Sequence, residues 1–310
     1  QRASSPTSPA SALASRLSPL GSLRGFTLIE LLIVIAIIAL LVGLLLPAIW
    51  GVMITARDAE VRVEISQLDT GITAFKAEYG GIAPPSRITI DEQGGRWNDP
   101  QSRAIIRRLW PQFNFNVDRH FNDDDGNGVV GNSGDDTDDI FTLNGAECLV
   151  FFLGGVFKDG ALVGFSKNPS RPFQAGGSRV GPFFEFDLSR VKNTGGLDNA
   201  PEYLDPLPGQ TNPYVYFSSR DGRGYKNTDS ARSNFYTQKG GSAAFKPNTH
   251  QIISPGADGE YGDKDYDDDG TDDPGHRDYP GGEYDPDDQS TVGEEERDNI
   301  TNFTNGRLVP

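Results

Sequence analysis

The 310-residue chain has a single cysteine, Cys148, so no disulfide can form within it and neither a thiolate zinc site nor a redox pair can be built. Histidine is almost as scarce. His120, His250 and His276 are the only three, and none stands in a metal-ligand pair or beside a nucleophile motif such as G-x-S-x-G. The chain therefore reads as a non-enzyme. Basic residues are few as well: 28 Lys and Arg face 44 Asp and Glu, a net charge of −16. That balance leaves no surface to follow a phosphate backbone, so nucleic acid is not an expected partner. Gly-rich pieces such as 126–134 are too acidic to cradle a phosphate, and no fixed-period repeat is present.

What the chain does have is one long apolar run. From Phe26 to Leu46 the only polar side chains are Thr27 and Glu30. At about 1.5 Å per residue the run is roughly 31 Å long, one bilayer core, which predicts a transmembrane helix over 26–46. A carboxylate in such a segment is costly and calls for a partner, or for reach to water at the interface. A secretory signal would instead carry an apolar region of about 7–15 residues followed by a small-residue cleavage site. Neither is present.

Arg24-Gly25 directly before Phe26, Glu30 four residues later, an apolar stretch that follows this junction, and Pro47 late in the run together resemble the type IV prepilin signal. The resemblance covers roughly residues 1–55. It implies that a prepilin peptidase cuts between Gly25 and Phe26 and methylates the new amino terminus. It also implies that Glu30 neutralises the Phe26 α-amino group of a neighbouring subunit during filament assembly. Residues 1–25 carry Arg2, Arg16 and Arg24 and no acid, as fits a cytoplasmic leader, longer than most in the family. With the basic residues on that side, the positive-inside rule places the leader in the cytoplasm and the head outside it, periplasmic or extracellular; the resemblance implies a single-pass inner-membrane protein with a periplasmic head.

Beyond Pro47, the apolar residues Val61, Ile65, Leu68, Ile72, Phe75 and Tyr79 recur at alternating spacings of four and three, with charged residues, Glu64 among them, around the rest of the helix. The helix is thus expected to continue as an amphipathic one until Gly80-Gly81 and Pro84-Pro85 stop it. Asp99-Pro100 opens a short helix ending at Trp110, and Asn144 to Leu153, closed by Gly154-Gly155, reads as another. Strands are expected at 161–165, 182–188, 213–218 and 250–253. With 37 Gly and 21 Pro, the rest should be loop-rich. The expected fold is α+β: a leader (1–25), a long helix (26–80), and a head (81–310) of small antiparallel sheet with Asp-rich loops at 122–139 and 254–303.

Between Asp258 and Asp298, 18 acids face only Lys264, Arg277 and Arg297, so nearly all the net charge lies in this segment. Such a run is commonly a solvated stretch. The spacing suggests more: Asp265, Asp267 and Asp269 alternate before Gly270, with Asp273 beyond, and Asp123, Asp125 and Asn127 repeat the pattern before Gly128. Alternating oxygen ligands around a glycine turn are how calcium is wrapped. The twelfth positions, Gly134 and His276, are not the bidentate Glu of an EF-hand, so looser structural calcium sites are expected.

Asp205-Pro206-Leu207-Pro208-Gly209-Gln210-Thr211-Asn212-Pro213-Tyr214 resembles the Asp-Pro-Trp-Gly-x-Pro-Tyr stretch of type II secretion major pseudopilins, with Gln210 and Thr211 extra and no Trp. The segment from Ser254 to Gly262 is similar to their Ser-x-Gly-x-Asp-Gly-x-x-Gly loop, and Asp298-Asn299-Ile300-Thr301-Asn302-Phe303 to their Asp-Asp-Ile-x-Asn-Trp ending. In that family the last two stretches close around calcium, which by resemblance makes Ser254, Asp258 and Asp298 ligands. Asn299 stands where the family has a second Asp. The resulting expectation is a pseudopilin, whose partners are copies of itself, minor pseudopilins, the inner-membrane assembly platform and the prepilin peptidase. A type IV pilin-like subunit of a surface filament and a membrane-anchored calcium-binding ectodomain are the alternatives.

Overall fold

The computed structural model describes residues 26–117, 140–158, 160–174, 176–193, 200–230, 232–238, 243–261, 283–284, 297–304 and 307–308. Gly25 and the leader, Asp123, Asp125 and Asn127, and Asp265, Asp267, Asp269 and Asp273 lie outside these residues, as does the side chain of Pro47. The chain divides into two compact units, Gln1–Val52 and Met53–Pro310.

Helix α1 runs over Leu28–Glu78. In the first unit its apolar side chains are exposed, Leu28 and Leu44 among them, and the helix is long and apolar enough to cross a membrane. In the second unit the expected stripe is buried: Val61, Ile65, Leu68, Ile72 and Phe75 are at most 3 % exposed. Burying one such side chain fully is worth about 1.5–3 kcal/mol, so this stripe is what holds the helix to the head. The helix ends where Gly80 turns to positive φ and the Gly81 amide donates to the Lys76 carbonyl (2.7 Å), a Schellman closure.

Strand β1 (Ile88–Asp91) pairs antiparallel with β2 (Ile140–Leu143). Helix α2 (Pro100–Leu109) is capped by Asp99, which accepts from the Gln101 and Ser102 amides. Helix α3 (Gly145–Gly154) opens with a capping box: Asn144 accepts from the Ala146 and Glu147 amides, and Glu147 accepts from the Asn144 amide. A central three-stranded sheet has β4 (His250–Ser254) between β3 (Val215–Ser218) and β5 (Ile300–Thr301), both antiparallel to it. Among the described residues there are also four two-residue pairs: 157–158 with 161–162, 165–166 with 179–180, 191–192 with 202–203, and, in parallel, 237–238 with 283–284. The main core joins α1, α3, β1, β2 and the aromatics Trp97, Trp110, Phe165 and Tyr214. A second cluster gathers Val215, Phe217, Tyr236, Ile253, Tyr261 and Leu308.

Two strand expectations are corrected. The 161–165 strand is broken into Ala161–Leu162 and Phe165–Ser166 at Gly164, whose φ is +72° and whose α-carbon abuts the Val180 and Gly181 backbone. The 182–188 segment forms no ladder. Its Phe183 amide is spent on the Leu153 carbonyl at the end of α3 (2.7 Å), and its Phe183 carbonyl lies against Gly71 of α1, where a Cβ would come within 3.0 Å. Phe183 is therefore packed against the helix, with its amide unavailable to a sheet.

Candidate functional site

At the amino-terminal end, Thr27 and Glu30 form a capping box. The Thr27 amide and hydroxyl each donate to Glu30 Oε2 (2.8 Å), and the Glu30 amide donates to Thr27 Oγ1 (3.2 Å). A Thr followed three residues later by Glu before an apolar run is the sequence signature of this cap. The carboxylate singled out by its position in the apolar run thus has a partner within its own chain, at the end of the helix where a negative charge is favoured. Phe26, beside it, is exposed.

The three carboxy-terminal stretches meet in one place. Asp205 is buried, and its Oδ2 accepts from the Ser254 hydroxyl (2.6 Å) and Gln210 Nε2 (3.0 Å), while Oδ1 accepts from the Leu207 amide (3.0 Å). Gln210 Nε2 also donates to the Gly256 carbonyl (3.1 Å) and Asn212 Nδ2 to the Gly259 carbonyl (2.7 Å). From the other side, Asp298 Oδ2 accepts the Ala257 (2.5 Å) and Asp258 (3.0 Å) amides. Asn302 ties β4 to its neighbours, its Oδ1 accepting from the Ile252 amide (3.1 Å) and its Nδ2 donating to the His250 carbonyl (3.3 Å) and to Asp69 Oδ1 on α1 (3.1 Å). Burial is the leading influence on Asp205 and Asp298, raising both carboxyls above the ordinary range.

Ser254, Asp258 and Asp298 each have a hydrogen-bond partner within the loop. The Ser254 hydroxyl is committed to Asp205 and accepts from the Gly256 amide (3.2 Å). Asp258 is exposed, and its Oδ1 closes a turn onto the Glu260 amide (2.9 Å). Asp298 Oδ1 is buried without a hydrogen-bond donor among the described residues, which by itself would suit a cation. Gly256 lies beside it, so that a Cβ built there would come 2.6 Å from that oxygen. Among the described residues no three acidic, His or Cys side chains are grouped to share a metal ion.

Sequence reasoning missed Glu64, the centre of a buried polar cluster. Glu64 Oε2 accepts from Arg190 Nη1 and the Tyr214 hydroxyl (2.8 Å each); Oε1 accepts from the Tyr203 hydroxyl (2.7 Å) and from Arg190 Nη2. Reading Glu64 as part of the charged face is corrected: it is 8 % exposed. The signal was available, since Glu64 lies three residues after Val61 and four before Leu68, on the apolar stripe itself. Asp58 and Asp69 also anchor remote segments. Asp58 pairs with Arg307 (2.8 and 3.1 Å), and Asp69 Oδ1 lies 2.5 Å from His250 Nε2.

Residues 23–46 match the model of the prokaryotic N-terminal methylation motif. No curated protein matches the chain, and no solved structure does.

Proposed function

We propose that this chain, which carries a type IV prepilin-like methylation motif on an apolar helix suited to membrane anchoring, is a pseudopilin of a type II secretion system. It would be anchored in the inner membrane with its head in the periplasm, then assembled through the apolar helix into a periplasmic filament. Its partners would be copies of itself, minor pseudopilins, the assembly platform and the prepilin peptidase. The observation that carries the finer reading is the convergence of the Asp205, Ser254 and Asp298 stretches, all similar to pseudopilin motifs, around one loop. Calcium enters the proposal through the Asp-rich segments around Gly128 and Gly270 and through Ser254, Asp258 and Asp298, and calorimetric titration of the full chain would test it.

Mass spectrometry of the protein recovered from membranes tests the filament reading: the expected amino terminus is N-methyl-Phe26, and a chain retaining residues 1–25 would sink it. The capping box supplies a control. Thr27→Val removes the hydroxyl contact but leaves the Glu30 carboxylate free to pair with a neighbour's amine, so assembly should survive it and fail in Glu30→Ala. Equal loss in both would reduce Glu30 to a helix cap. Deleting the gene should block protein export; unchanged export with loss of a surface fibre would favour the pilus alternative.

A further inference from the structure

The loop that follows β3 gathers cations against α2. Two cavities of about 110 and 210 Å³ adjoin there and share Gln101 and Arg220 in their walls; Arg108 and Arg223 also line the first, Arg87 and Lys226 the second. Asp221 lines the first and Asp99 the second, and buried Asp229 accepts from Arg220 Nη2 on both oxygens (2.9 and 2.8 Å). Five cations thus meet three carboxylates, in a chain whose net charge is −16. Arg108 is taken by Asp221 (2.6 Å) and Arg220 by Asp229, while Arg223 and Lys226 pair with no carboxylate among the described residues. The same two ion pairs hold Arg220 and Asp221 at φ +53° and +59°, a left-handed conformation that side chains with a Cβ keep only where their surroundings impose it. A strained, pinned turn therefore carries a surplus of positive charge.

We propose that this cationic face docks the acidic residues 285–296 of a second copy of the chain. That stretch has six acids and no base, the charge that complements the face. It lies outside the described fold, which resumes at Arg297, directly before Asp298 and the end of β4 where Ser254 pairs with Ile300. The cationic loop instead leaves β3 at Ser218, which pairs with His250 at the other end of β4. The acidic stretch and the face thus belong to opposite ends of the central sheet. Joining unlike ends of two copies gives a head-to-tail contact, which can repeat from copy to copy.

The contact needs two copies and no filament, so it holds or fails separately from the reading above. The test is carbodiimide cross-linking of the full-length protein in detergent, half of it carrying heavy nitrogen. This reagent joins an amine to a touching carboxylate, and Lys226 is the lysine in the cavity walls. Mass spectrometry should find Lys226 joined to residues 285–296 in pairs of mixed isotope. With Arg87→Ala and Arg223→Ala together, the yield of that link should fall at least about threefold, as expected when two exposed charges are lost. Same-isotope pairs alone would put the stretch on its own copy and overturn the proposal. Links from Lys226 only to other segments, or no link at all, would overturn it too, as would an unchanged yield in the folded double variant. If that variant fails to fold, the isotope pattern of the natural chain decides.

Discussion

Replacing Glu64 with Ala should be among the most damaging changes in the head. The side chain of Glu64 is 11 % exposed and that of Arg190 22 %, and Tyr203 and Tyr214 are buried. Burial by itself would lower the Arg190 pKa, but the hydrogen bond and charge of Glu64 outweigh it and raise it. Burial and the same carboxylate push the two tyrosines up, so all three partners meet Glu64 as donors. Removing it leaves a guanidinium and two hydroxyls without their acceptor. Breaking a buried pair in this way costs about 3–5 kcal/mol, and each stranded hydroxyl adds about 1 kcal/mol or more. For a unit of this size, each kcal/mol moves the melting temperature by about 2–4 °C, so a fall on the order of 10 °C is expected. Thermal unfolding followed by near-ultraviolet circular dichroism, which reports these tyrosines, is the assay. The pair Glu64→Leu with Arg190→Met should recover part of the loss, because an apolar replacement of a buried ion pair can be close to neutral. A shift under about 2 °C for both Glu64→Ala and Glu64→Gln would refute the account and make Glu64 a solvated residue.

Gly145→Ala should cost about 3 kcal/mol, because its Cβ would lie 1.8 Å from the Tyr216 carbonyl oxygen, a backbone atom with little room to yield; an unchanged urea midpoint would show that the start of α3 can shift. Cys148 is fully buried and its thiol is pushed well up, first by burial, so a thiol reagent should label it only in step with unfolding, and fast labelling in buffer would contradict this packing. At Asp69, burial opposes ionisation, but the hydrogen bond and charge of His250, then Asn302 and Lys246, outweigh it and hold the carboxyl below its ordinary 3.8. The resulting stability is present above that value and lost as pH falls through the depressed one, so Asp69→Asn should lose less melting temperature than the natural chain between about pH 5 and pH 2; parallel losses would remove Asp69 from the account.

Where local chemistry decides an element, the sequence was readable. The stripe from Val61 to Phe75 announced its buried face through spacing alone, and Asp99-Pro100 and Asn144 marked the starts of α2 and α3 because a cap depends on residues adjacent in sequence. The β1–β2 pair went unread: its strands are four residues each and nearly fifty residues apart, and nothing in either names the other. Residues 182–188 alternate like a strand, but alternation describes side chains, and the backbone amide of Phe183 had already been taken by α3. The meeting of Asp205, Ser254 and Asp298 was legible only through likeness to motifs. What those residues do there was not, because it depends on hydrogen bonds between segments far apart in sequence, Ser254 to Asp205 and the 257–258 amides to Asp298.

The second unit's part of α1 combines two kinds of contact that do different work. Its apolar stripe supplies most of the attraction, but burial is non-directional and would tolerate neighbouring alignments. Asp58, Glu64 and Asp69 do not tolerate them. Each engages a segment more than a hundred residues away, Arg307, Arg190 with two tyrosines, and His250 with Asn302. A slip of one residue would turn Glu64 by about 100° around the helix and leave Arg190 facing apolar side chains, a buried charge without its partner. Three carboxylates spaced along one helix therefore fix its rotation and its axial position together. The same helix that looks from its composition like a simple greasy rod is, over its second half, aligned by its acids.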